Sequence, residues 1–240
     1  MSKMNYHVFD SSQQVVEALA KSMQEYSELG RPVHISLSGG STPSQLFSFL
    51  AASAYATSIN WQNLHFWWGD ERCVAPEDEQ SNYGQAKALL FDHIEIPAQN
   101  IHRIRGEEFA ATEVTRFAEE MLDVIPHKDG VPEFDWILLG MGTDGHTASL
   151  FPGQTDYESK EIAIIAAHPE SRQIRVSKSA HLLAHAKRIT YLVLGASKAP
   201  VIKEIAEQAP AAEQYPAAKV IAKDGITEWY LDSEAAKELA

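Results

Sequence analysis

Trp136-Ile-Leu-Leu-Gly-Met-Gly-Thr-Asp-Gly-His-Thr-Ala-Ser-Leu-Phe151 decides how this chain is read. Its first four residues are an unbroken apolar run, the signature of a strand buried on both faces, as in a parallel sheet covered by helices. Three glycines follow at once, Gly140, Gly142 and Gly145, and give the backbone freedom to turn sharply and to approach a ligand. Asp144 and His146 stand two residues apart on that glycine-rich turn. A carboxylate and an imidazole so placed can move protons near neutral pH.

Working outward, the same alternation repeats. Pro32–Leu37, Leu64–Trp68, Phe134–Leu139, Ile162–Ile165 and Ile189–Leu194 read as strands, with Lys219–Ala222 and Trp229–Leu231 as short closing strands. Helices are expected over Pro43–Leu50, about Asn82–Leu90, Ala111–Val124 (Val114, Phe117, Ala118 and Met121 at helical spacing) and Ser197–Ile205. Strand–helix alternation predicts an α/β fold: three αβα layers around a mainly parallel, Rossmann-like central sheet. No linker or internal repeat divides the 240 residues, so a single domain over 1–240 is expected.

Composition narrows the function classes. One Cys excludes an intrachain disulfide and fits a reducing compartment. No membrane-length apolar run and no signal-peptide core are present, and a cytoplasmic location is expected. The formal net charge is −13 without any Lys/Arg-rich stretch, which argues against a nucleic-acid partner. Ten His residues include no zinc spacing and the lone Cys cannot build a thiolate site, so no metal is expected.

The polar segments of interest all follow strands. In open parallel sheets ligands bind beyond the carboxyl ends of the strands, so these segments are expected to gather in one site. Ser38-Gly39-Gly40-Ser41-Thr42 precedes a helix for which Thr42 is the expected N-cap and Pro43 the first residue; such a helix start favours an anion. Gly69-Asp70-Glu-Arg72 is read as a strand-end loop in which Arg72 can grip an anion and Asp70 can orient a base. Lys198 sits at a helix start, where a cation is unfavourable unless an anion joins it. Arg175, in Ile174-Arg-Val-Ser177, is the remaining candidate cation. Ser149 lacks the Gly-x-Ser-x-Gly elbow of a nucleophile.

Taken together, Ser38–Pro43, Gly69–Arg72, Ser81-Asn82, Gly140–Gly153, Arg175–Ser177, Gly195-x-x-Lys198, Tyr215-Pro-Ala217 and Trp229–Asp232 resemble the 6-phosphogluconolactonase family, within the wider group that includes glucosamine-6-phosphate isomerase/deaminase. The resemblance covers nearly the whole chain. The isomerase branch typically continues Asp-Gly-His into Phe-Asn-Glu-Pro, whereas this chain reads Leu150-Phe-Pro-Gly153, without the acid; it also has Arg72 where that branch tends to have Tyr. Both departures favour the lactonase over its alternatives, the isomerase/deaminase and a non-catalytic sugar-phosphate-sensing module.

The resemblance implies hydrolysis of 6-phosphoglucono-δ-lactone without a metal or organic cofactor, by a monomer or weak homodimer. His146 is the implied general base, oriented by Asp144 or Asp70, with the glycine-loop N–H groups, Gly142 among them, and Arg72 on the oxyanion. Ser38, Gly39, Gly40, Ser41, Thr42, Arg175 and Lys198 are implied for the phosphate. The approach His168-Pro-Glu-Ser-Arg-Gln-Ile-Arg175 leaves Arg172 as well as Arg175 open as the matching arginine, with Arg175 in better register ahead of Val176-Ser177.

Overall fold

Burial on both faces accounts for the apolar runs. In this computed structural model, which describes residues 3–240, the central strands β2 (Val33–Leu37) and β7 (Trp136–Leu139) are buried at every position. Met1 and Ser2 of the expected domain lie outside the described residues. The other strands are β1 (Tyr6–Phe9), β3 (Leu64–Trp68), β4 (Asp70–Arg72), β5 (His127–Lys128), β6 (Val131–Pro132), β8 (Ala163–Ala167), β9 (Ile174–Lys178), β10 (Arg188–Val193) and β11 (Ile226–Asp232). The helices are α1 (Ser12–Ser27), α2 (Ser41–Ala52), α3 (Tyr55–Ser58), α4 (Asn82–Leu89), α5 (Ala110–Val124), α6 (Ala180–Leu183), α7 (Ala199–Ala206) and α8 (Pro216–Lys219).

The main sheet has six strands in the order β1-β11-β10-β7-β2-β3, and every neighbouring pair is parallel. Adjacent residues of β3 show how both faces are covered. Side chains alternate across a strand; Trp67 meets Phe117 of α5 at a centroid distance of 6.2 Å, while Trp68 meets Tyr83 of α4 at 5.6 Å. Helices α4 and α5 therefore lie on opposite sides of the sheet, which gives the expected three-layer α/β fold. One apolar cluster extends from Val15 to Ala235.

From β2 the chain steps outward to β3, then returns to β7 and proceeds the other way through β10 and β11. The strand order thus reverses between β2 and β7, and open α/β sheets bind ligands beyond the carboxyl ends of strands at such a point. Ser38–Gly40 follows β2 and Gly140–His146 follows β7, so the two glycine-rich segments flank the reversal point.

Four local expectations need correction. Thr42 is not the N-cap: Gly40 is, at φ +112°, and α2 begins at Ser41, with Ser44 N–H donating to the Gly40 carbonyl at 3.1 Å. A left-handed turn at Gly40 starts the helix two residues earlier than a side-chain cap at Thr42 would. Asp70–Arg72 is a strand rather than a loop: it pairs antiparallel with β9, which pairs antiparallel with β8, in a separate three-stranded sheet. The expected strand Ile162–Ile165 belongs to this second sheet. Lys219–Ala222 is not a strand, because Pro216 opens the short turn α8, which ends at Lys219. Before Pro32 no element was expected, yet β1 and α1 form there; Ser11 caps α1 by accepting from Gln14 N–H, and Val15, Val16, Leu19, Ala20 and Met23 line its buried face.

Candidate active site

The Asp144–His146 pair is built by its glycines. Gly145, at φ +78°, folds the loop back so that Gly142 N–H donates to the His146 carbonyl at 3.0 Å and Gly145 N–H to the Gly142 carbonyl at 3.0 Å. Asp144 Oδ1 then receives both the His146 backbone N–H, at 3.1 Å, and the ring Nδ1, at 2.6 Å. A Cβ on Gly142 would lie 2.2 Å from His146 Nδ1 and 2.6 Å from Asp144 Oδ1, so the ring rests directly on bare backbone. Because a carboxylate only accepts, Nδ1 carries the proton and Nε2 is left as the basic nitrogen. Burial opposes ionisation of Asp144, but the hydrogen bonds from His146 and its charge outweigh it and hold the carboxyl below its usual range.

Asp70 does not contact His146. It is buried, its Oδ2 accepts the Ser149 hydroxyl at 2.6 Å, and Arg175 Nη1 lies 3.9 Å from the same oxygen. Asp70 thus braces the far end of the loop that carries His146, and of the two acids it is Asp144 that bonds the imidazole. Neighbouring Glu71 is structural: it accepts the N–H groups of Arg72, Asn82 and Tyr83 and the Ser81 hydroxyl, fixing the start of α4. Burial raises its pKa, against those hydrogen bonds.

The candidate anion groups come from four segments of the chain, the loop after β2, β4, β9 and the start of α7. Gly39 packs so closely on Asn82 that a Cβ would lie 2.0 Å from Asn82 Oδ1, and Asn82 Nδ2 donates to the Asp70 carbonyl at 3.0 Å. This joins the loop after β2 to the start of β4. Ser41 and Thr42 precede the first intrahelical bond of α2, so their N–H groups lack partners within the helix. Arg72 and Arg175 stand opposite each other in the β4–β9 register. Arg175 is buried over the face of Phe151, 5.8 Å from its centroid, and Phe151 contacts the His146 ring at 5.1 Å. Burial lowers the pKa of Arg175; Asp70 opposes this and Arg72 adds to it. Arg172 is on the exposed tip of the β8–β9 hairpin at φ +61°, outside this group.

Three buried side-chain atoms have no hydrogen-bond partner among the described residues, Ser38 Oγ, Trp68 Nε1 and Arg72 Nε. Ser38 and Arg72 belong to the candidate anion segments, where a bound ligand can supply the missing bonds. Lys198, just before α7, donates to the Met141 carbonyl at 2.6 Å, which ties it to the loop that carries His146. Burial lowers its pKa and the charge of Asp144 opposes that.

Sequence reasoning missed Lys178. This last residue of β9 is fully buried, donates from Nζ to Ser36 Oγ at 3.0 Å and to the Trp68 carbonyl, and faces the Phe134 ring at 4.5 Å. Burial drives its pKa well down, with Asp70 opposing. It links β2, β3 and β9 where the two sheets meet.

The reversal point of a parallel sheet, flanked by an oriented imidazole and by cations on neighbouring segments, is the kind of place where α/β proteins bind small ligands. The chain belongs to the family described as glucosamine-6-phosphate isomerases/6-phosphogluconolactonase, whose model matches residues 9–229. It is 59% identical over 236 residues to a 6-phosphogluconolactonase of Haemophilus influenzae, covering 98% of this chain and 100% of that protein. The 6-phosphogluconolactonase of Aggregatibacter actinomycetemcomitans is 58% identical with the same coverage. Among solved structures, the devB protein matches at TM-score 0.96 and 59% identity, covering 99% of this chain and 100% of that one. Among the described residues, no helix is long and apolar enough to cross a membrane.

Proposed function

We propose that this protein hydrolyses 6-phosphoglucono-δ-lactone to 6-phosphogluconate, the second step of the oxidative pentose phosphate pathway. The observation that carries the reading is the His146 ring, held through Nδ1 by Asp144 and seated on Gly142. The names borne by relatives near 60% identity support it. So does Leu150-Phe-Pro-Gly153, which has no acid where the isomerase branch reads Phe-Asn-Glu-Pro.

In this mechanism His146 Nε2 takes a proton from water as the water oxygen bonds to the lactone carbonyl carbon. Asp144 stabilises the imidazolium that forms. The carbonyl oxygen becomes an oxyanion, stabilised by the Arg72 guanidinium and by loop N–H groups other than those of Gly142 and Gly145, which are engaged within their own loop. As the tetrahedral centre collapses, the bond to the ring oxygen breaks and the imidazolium returns its proton to that oxygen, leaving a hydroxyl and a carboxylic acid that ionises. Ser38, the start of α2, Arg175 and Lys198 hold the phosphate, and this remote anchor contributes positioning. A lactone is already labile in water, so no covalent intermediate is required. Ser149, buried and donating to Asp70, is occupied structurally.

The test is direct: the purified protein should accelerate loss of freshly generated 6-phosphogluconolactone and release no ammonia from glucosamine 6-phosphate. Ammonia release without lactone hydrolysis would replace this reading with the deaminase.

A further inference from the structure

Arg72 and Arg175 present a difficulty that the catalytic groups do not resolve. Their guanidinium groups carry the same charge and are cross-strand partners, an arrangement that repels. Asp70 is not enough to hold them together, since its nearer oxygen is 3.9 Å from Arg175 and already accepts the Ser149 hydroxyl.

What does hold them is a pair of glutamines. Arg175 Nε donates to Gln173 Oε1 at 3.3 Å, and Arg72 Nη1 donates to the backbone carbonyl of Gln80 at 2.9 Å, which any residue at that position would supply. The two supports are themselves joined, because Gln173 Nε2 donates to Gln80 Oε1. A guanidinium has only donors, so Gln173 must turn its oxygen to Arg175 and its amide nitrogen to Gln80; the chemistry fixes the orientation of the amide. Gln173 is held in turn at the hairpin tip, where its carbonyl accepts His168 N–H at 2.9 Å. Gln80 lies immediately before Ser81, the N-cap of α4. The bridge therefore spans two otherwise separate loops and fastens one arginine from each side.

We propose that Gln80 and Gln173 are positioning residues: their bridge holds the Arg175 guanidinium on the substrate's phosphate, beside but apart from Arg72, and so sets the preference for phosphorylated over unphosphorylated lactones. The proposal rests on the phosphate-site reading above. It predicts a split effect. Gln173→Ala and Gln80→Ala should each raise KM for 6-phosphogluconolactone about three- to tenfold, roughly the worth of one net hydrogen bond, with kcat within about twofold. Hydrolysis of unphosphorylated δ-gluconolactone should not change. Because the two side chains act as one bridge, the double variant should lose no more than either single one.

Calorimetric binding of inorganic phosphate separates this idea from the proposed reaction. A Kd for phosphate that weakens three- to tenfold in both variants supports the bridge. The same weakening in a protein that fails to hydrolyse the lactone would keep the bridge and discard the reaction. Unchanged phosphate affinity in both variants, or equal losses on the unphosphorylated lactone, would overturn the bridge while leaving the reaction standing.

Discussion

Replacing Gly142 with alanine isolates the positioning of His146 from every other property of the site. The added Cβ would sit 2.2 Å from Nδ1, 2.3 Å from Cε1 and 2.6 Å from Asp144 Oδ1. Non-bonded heavy atoms of this size settle near ~3.5 Å, so the ring or the loop must give way by about 1.3 Å. A displacement of about 1 Å in a reacting group costs on the order of a hundredfold in rate. Gly142 is not among the residues at positive φ, so alanine meets no backbone penalty and the clash falls on the Asp144–His146 pair. The expected result is a fall in kcat of about two to three decades, with KM within about threefold. The thermal midpoint should move by no more than about 4 °C, the scale of ~1 kcal/mol for a domain of this size. Stopped-time assays of lactone loss and a melting curve measure both. In a His146→Ala background the same substitution should cost little more, because the ring it displaces is gone. Wild-type kcat in Gly142→Ala, or an equal loss with and without the imidazole, would refute the reasoning.

Other outcomes follow from the same geometry. Asp144→Asn keeps an oxygen for the ring but removes the charge that favours the imidazolium, and should lower kcat by about two to four decades; loss of less than threefold would remove Asp144 from the mechanism. Lys198→Ala should raise KM about tenfold and lower kcat only a few-fold, since its ammonium also braces the Met141 carbonyl; an effect confined to kcat would contradict its role as an anchor. Asp135 is buried and accepts from Arg31 at 2.8 Å and Lys187 at 3.1 Å, and although burial opposes ionisation these partners hold its pKa below the usual carboxylate value. A depressed folded pKa gives stability that is present above the unfolded value near ~3.9 and is lost as pH falls through the folded one. Asp135→Asn should therefore cost about 1–3 kcal/mol at pH 7, discounted for its half-exposed partners. In denaturant melts the gap to wild type should narrow below about pH 4; a gap independent of pH would assign the loss to packing.

The parts of the fold that were legible in the sequence are those where burial acts on a continuous run. Trp136–Leu139 and Ile189–Leu194 announce buried parallel strands because each is apolar on both faces. Asp70–Arg72 could not be read this way: three polar residues have no period, and they form a strand only because β9 lies alongside. Lys219–Ala222 has the composition of a strand but follows Pro216, which commits the chain to a helical turn.

The candidate site divides similarly. The Asp144–His146 spacing is a local fact, visible in twelve residues, and the loop glycines that make the pair close are visible with it. Asn82, Gln80 and Gln173 act only through contacts between distant segments. Of these, Asn82 lies beside Ser81 in a motif and Gln173 within the His168–Arg175 approach, but nothing in either stretch signals the contact it makes. Lys178 gave a misleading signal, since lysine at a strand end ordinarily reaches solvent, and only the junction of two sheets buries it.

The central claim is that His146 activates water. Decay of freshly generated 6-phosphogluconolactone, followed side by side with wild-type protein and His146→Ala, tests it most directly. The account predicts a kcat lower by about two to four decades in the variant, with inorganic phosphate still bound at wild-type affinity. Full lactonase activity in His146→Ala would contradict it.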